Sequence, residues 1–150
     1  MTQSTTLVTA CEAHIRLDND SGTPIDISGS SNAIQMGFAQ EVQEYYTMYR
    51  GRAPMRNASR EDASIDIDVI YSVTAGESVD LLTDWFFNHK GTRRTLTIYI
   101  PDYTIGSDMY TGEVLLETLE IPAIAEASVP IPVQVKLLPS GAWIKATKAT

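Results

Sequence analysis

This chain of 150 residues has one cysteine, Cys11, and two histidines, His14 and His89. A single cysteine excludes an intramolecular disulfide and fits a reducing interior; its plain role is that of a small buried hydrophobe. Two histidines far apart in sequence leave no H-E-x-x-H or Cys/His spacing for a metal. A Cys11–His nucleophilic pair has no local signature behind it. Gly29 and Gly51 are isolated turn glycines, and no glycine-rich loop that could cradle a phosphate precedes a helix. Apolar runs are far too short for a transmembrane helix. The opening MTQSTTLVTACEAH has no basic region followed by an apolar one, so no signal peptide is expected. Cations are scarce as well. Eleven Lys and Arg stand against 19 Asp and Glu, a net charge of −8, and an acidic body does not grip nucleic acid. We assign no catalytic residue, no metal ligand, no cofactor and no membrane partner. Asp66 and Asp68, two apart on a strand, could hold a hard cation, but a solvated strand face is the simpler reading.

What is present is a folded single domain. Hydrophobic residues make up 43% and charged residues 20% of the chain, enough apolar material for a real core at this length. The dominant period is two. Cys11, Ala13, Ile15 and Leu17 alternate with polar neighbours, as do Ile34, Met36 and Phe38. The clearest strand is Ser64 to Tyr71, with Ile65, Ile67, Val69 and Tyr71 on one face and Asp66 and Asp68 on the other. Leu96, Ile98 and Ile100 follow, stopped by Pro101. Further strands are expected over Thr111–Ile121 and Ile131–Leu138, with a short one over Ala142–Ala146. Such clean alternation implies antiparallel strands with one dry and one wet face. One helix interrupts the strands. Thr74 and Glu77 have the spacing of a capping box, Gly91 that of a C-terminal cap, and Val79, Leu81, Leu82, Trp85 and Phe86 share a broad apolar face. The expected fold is α+β and mainly β: two packed antiparallel sheets, as a sandwich or half-barrel, with one flanking amphipathic helix and a long loop.

That loop, Gln40 to Asp62, is long for a compact domain, and such loops are usually functional or disordered. Within it, Tyr45 to Arg60 reads YYTMYRGRAPMRNASR, with four arginines and no carboxylate, while the rest of the chain carries seven cations against nineteen acids. Tyr, Arg and Met are enriched at interface cores, and the acidic body is itself a possible partner. Three readings stay open here: self-assembly, binding of single-stranded nucleic acid by tyrosine stacking and arginine charge, or a solvated hairpin whose tyrosines cover the core.

The order of phrases narrows the choice. DISGSSNAIQMGF, a long loop, DASIDIDVIYS, a helix ending in WFFNHKGTRRTLTIYIPD, then SDMYTGEVLLETLEIP and a last strand resemble the tail tube proteins of long-tailed bacteriophages and gene transfer agents. The resemblance runs from about Ala10 to Trp143. It implies a structural, non-enzymatic subunit spanning residues 1–150, six copies of which form a ring. Rings stack into a hollow tube through which DNA passes without specific binding. The partners implied are the chain itself and the tail terminator, tape measure and distal tail proteins. The location implied is the virion tail, assembled in the host bacterial cytoplasm. In the family the long loop contacts the next ring, which here maps to Tyr45, Tyr46, Met48, Tyr49, Arg50, Arg52, Met55, Arg56 and Arg60. A lumen that lets DNA slide should repel phosphate, and the wet strand faces carrying Asp66, Asp68, Glu113 and Glu117 are candidates for its wall. The ring protein of a bacterial contractile injection system, of the same fold, is the nearest alternative. A small single-strand-binding module is the alternative from another class.

Overall fold

The computed structural model describes residues 13–46, 53–122 and 131–149. Among them, seven strands and one helix run in the order β1 (His14–Asp18), β2 (Pro24–Asp26), β3 (Ser31–Tyr45), β4 (Met55–Ile70), α1 (Ser78–Asn88), β5 (Arg94–Ile100), β6 (Asp108–Glu120) and β7 (Pro132–Thr147). All seven strands join one antiparallel sheet in the order β2-β1-β5-β6-β7-β4-β3. The mainly β class with one flanking helix is as the sequence implies. The strands form a continuous sheet instead of two separate ones, and with β2 and β3 left as edges it is not closed into a barrel.

Period-two residues build the core. Ile15 and Leu17, Leu96 and Ile98, Val114, Val133, Val135 and Leu137, and Ile65, Ile67 and Val69 all point to one side and are buried. The helix lies over that side and adds Val79, Leu81, Leu82 and Trp85. Trp85 is only 1% exposed, and its indole N–H donates to the Thr92 carbonyl at 2.9 Å. Phe86, expected on the buried face, is half-buried; it meets Phe87 edge-on at 5.2 Å and carries the Lys90 ammonium 5.5 Å above its ring.

Two local expectations change. The capping box does not form, because the helix begins three residues later, with Glu77 as its N-cap and no side-chain cap. Gly76, at φ +81°, turns the chain out of any earlier helical start. Asp80 in the first turn accepts the Gly76 N–H at 2.9 Å, which suits a carboxylate at the positive end of the dipole. At the other end Gly91 does take a left-handed φ of +77°, just beyond the C-cap residue His89.

The second change is larger. The long loop is mostly two strands: β3 continues to Tyr45 and β4 starts at Met55, paired from Ser31↔Val69 to Tyr45↔Met55. A strand reveals itself by alternation only when one face is buried. Here, from Phe38 to Tyr45 and over residues Ala53–Pro54 and Arg56–Ala58, the side chains are exposed, so no alternation is written into them. Likewise the two final strands are one, with Gly141 at φ +88° inside it.

Candidate functional site

The hairpin β3–β4 leaves the body of the sheet. β4 pairs with β7 only from Ile65↔Leu137 to Ile70↔Pro132. Before Ile65 it has β3 alone as neighbour, so Gly37–Tyr45 and Met55–Ser64 form a two-stranded arm about 30 Å long at ~3.3 Å per residue. A register shift between Glu41 and Val42 bends it. Of the residues expected to contact another ring, Tyr45, Tyr46 and Arg56 are exposed at the far end of the arm and Met55 is half-buried. Tyr46 is 65% exposed and donates its hydroxyl to Glu44 at 3.1 Å. Arg56 meets the same carboxylate at 3.6 Å, a pairing with an arm acid that leaves both side chains in solvent. Arg60 lies in β4 opposite Glu41. Met48, Tyr49, Arg50 and Arg52 lie outside the described residues, as does Cys11.

At the root of the arm is a cleft of about 560 Å³, lined by Phe38, Gln40, Glu61, Asp62, Pro139 and Trp143 among others. Phe38 and Trp143 face each other at 5.8 Å. Sequence reasoning missed this place. Its signal was Gly112, an isolated glycine within a strand, which often marks close approach. A Cβ there would stand 2.5 Å from the Trp143 ring, and the indole N–H donates to the Glu113 carbonyl at 3.3 Å.

The four acids proposed for a channel wall do share a face. Asp66 and Asp68 alternate with buried Ile65, Ile67 and Val69, so they point away from the helix. Asp66 is opposite Lys136 in the ladder, and the Lys136 ammonium meets Glu117 at 3.6 Å. Glu113 is opposite Thr95 and 3.9 Å from Arg93. A hollow of about 340 Å³ on this face is lined by Asp66, Asp68, Thr118, Glu120, Gln134 and Lys136. Glu120 and Lys136 are thus additional members, and Lys136 and Arg93 offset part of the acidic charge.

The histidines are spoken for. His14 stacks on Tyr103 at 4.4 Å and sits 3.6 Å from Asp26. Burial pushes the Asp26 carboxyl up, but the hydroxyl and N–H of Ser28, with His14 and Arg16, outweigh it and hold the group below its ordinary value. His89 lies 3.7 Å from Asp20 and 3.5 Å from Asp84. Among the described residues no group of three His, Cys, Asp or Glu could hold a metal ion, and no described helix is long and apolar enough to cross a membrane.

No family model matches this sequence, and no curated protein sequence is significantly similar to it. Solved structures are similar in shape. A chain from the tail of an empty gene transfer agent particle, with C6 symmetry, superposes with a TM-score of 0.67 at 16% identity, covering 89% of this chain and 94% of its own. The SPP1 tail tube superposes with a TM-score of 0.71 at 9% identity, covering 96% and 81%. The fold is that of a tail tube. A chain of an extracellular contractile injection system, from the PVC sheath–tube complex in its extended state, gives 0.70 at 12% identity, covering 97% and 99%. The tail-tube fold therefore extends over nearly all of this chain, arm strands included.

Proposed function

We propose that this chain is the structural subunit of a tail tube, with six copies closing into a ring and rings stacking into a hollow cylinder. The observation that carries the reading is the tail-tube fold across almost the whole chain, with a charged hairpin arm left outside the core. Six-fold symmetry in the gene transfer agent tail and in the anti-feeding prophage baseplate, a further neighbour with a TM-score of 0.73, supports the ring number. The subunit acts by shape and charge, not by catalysis.

In this reading the arm joins rings: Tyr45, Tyr46, Met55, Arg56 and Arg60, with Met48, Tyr49, Arg50 and Arg52 between the two strands in sequence. The face opposite the helix, with Asp66, Asp68, Glu113 and Glu117, lines the lumen. Its carboxylates repel passing phosphates collectively, because the field inside a ring is a sum over all copies. Tail terminator, tape measure and distal tail proteins would meet the tube's ends, the virion tail is its location and the host bacterial cytoplasm its place of assembly. The contractile-injection neighbours favour a second reading, in which the same tube lies inside a sheath.

Negative-stain microscopy of the purified protein tests the proposal. Hollow tubes of uniform width are expected. A protein that stays monomeric at high concentration and shifts single-stranded DNA in a low-salt gel would overturn it in favour of a binding module. Reversing the four lumen acids to Lys in a reconstituted particle should keep tubes but slow DNA release, with the delay easing as salt rises.

A further inference from the structure

An arm that joins rings needs a receiving surface, and the sheet offers one at its opposite end. We propose that Ile70, Tyr71, Val73, Glu120 and Ile121 form the surface that receives the arm of a second copy of this chain. The inference rests on the tube reading above and adds its missing half.

Strand registers bring these residues together. Ile70 is opposite Pro132, Glu120 is opposite Gln134, and the Tyr71 N–H donates to the Ile131 carbonyl at 2.9 Å. β4, β6 and β7 therefore end side by side. Apolar side chains are left uncovered there: Val73 is 94% exposed, and Ile70, Tyr71 and Ile121 are each about 40% exposed. A recess of about 510 Å³ beside them is lined by Glu120, Ile121, Pro122, Pro132 and Gln134. Scattered exposed apolar residues mean little, but a contiguous group at one end of a sheet marks a contact surface.

Direction and charge select the occupant. Ser31↔Val69 is the first pair of the hairpin and Tyr45↔Met55 the last, so receiver and arm tip stand at opposite ends of one ladder, roughly 50 Å apart at ~3.3 Å per residue. One end is apolar and cationic, since Tyr45 to Arg60 holds four arginines and no carboxylate. The other is apolar and acidic, with Glu120 lining its recess. Two unlike surfaces facing opposite ways make a head-to-tail contact, which repeats along the ladder axis instead of closing on itself.

The test uses full-length protein and two variants. The receiver variant combines Val73→Lys with Glu120→Arg; the arm variant combines Tyr46→Glu with Arg56→Glu. All four positions are exposed, so both proteins should keep the wild-type circular dichroism spectrum and melting temperature. Each alone should lose tubes in negative stain. Mixed after separate purification, the native arm meets the native receiver and the acidic arm meets the basic receiver, so the two proteins should alternate and tubes should return. Joining Glu120→Arg with Arg56→Glu in one chain should restore tubes. Tubes from the receiver variant alone, or a mixture that forms none, would overturn the receiving face while leaving the tube reading standing. A wild-type protein that forms no tubes would instead overturn the reading beneath it.

Discussion

Between Ile65 and Ile70, β4 has a strand on each side, and Ile65, Ile67 and Val69 are buried beneath the helix. Between Met55 and Ser64 the same strand has β3 as its sheet neighbour, and Arg56, Asn57 and Ala58 stand in solvent. The body half is bonded into the sheet along both edges and is buried; the arm half is bonded along one edge and is not. The half under the helix can hold the domain together because it removes apolar surface from water. The projecting half does little for the isolated domain, and a lone two-stranded ribbon is marginal in water. A long arm of that kind is stable enough to keep its shape only as an extension of a sheet anchored elsewhere. Its exposed edge and side chains are then available to other molecules.

The comparison can be broken from the body side first. Trp85→Ala removes a fully buried ring and its bond to Thr92, and should cost about 3–5 kcal/mol in chemical denaturation. An intact, equally stable Trp85→Ala protein would mean that the helix does not anchor the sheet. Next comes Gly112→Ala, which forces a methyl group into the Trp143 ring; a loss of about 1–3 kcal/mol is expected. Because Trp143 also faces Phe38 at the arm root, its indole fluorescence should shift in the same variant, and an unchanged spectrum would disconnect the two. A smaller effect concerns the loop between β5 and β6. Hydrogen bonds from the Thr104 and Ser107 hydroxyls hold the Asp102 carboxyl below its ordinary 3.8. A lowered carboxylate contributes stability above that value and loses it as pH falls through the lower, folded-state pKa. Asp102→Asn should therefore lower the melting temperature slightly in the neutral region and flatten the acid limb, so that the two profiles converge at low pH. The smallest stability effect belongs to the arm. Arg50→Glu, Arg52→Glu and Arg56→Glu together should stay within about 0.5 kcal/mol of wild type, yet abolish tubes. Unaltered tubes from that protein would sharpen the contrast in the wrong direction, leaving the arm with no role.

How far the sequence can be read follows the same division. Ser64–Tyr71 and Thr95–Ile100 are legible because one face of each is dry and apolar, so burial is printed as alternation. The arm strands look like loop in the sequence because neither face is buried, and binary pattern then carries no information about pairing. The helix is legible from Val79, Leu81, Leu82 and Trp85, but its start is not, because Thr74 and Glu77 have the right spacing for a cap while Gly76 between them leaves the helical region. Of the candidate site, the common face of Asp66, Asp68, Glu113 and Glu117 could be inferred from period and pairing habit. Lys136, Glu120 and Trp143 could not, since they join the site only through cross-strand register, which depends on the turns and bulges of all seven strands.

The unequal pairing of β7 has a mechanical meaning. It runs along β6 from Gln134 to Thr147, but holds β4 only over Pro132–Leu137. A load applied at the arm tip travels down β4 and reaches the body across the six residue pairs from Ile65↔Leu137 to Ile70↔Pro132. The load runs parallel to the strands, so those pairs are sheared together and must yield together. The same pairs peeled sideways would open one at a time. Tension along the arm thus meets the stiffest response this sheet can give, while sideways bending meets only the two-stranded ribbon above it.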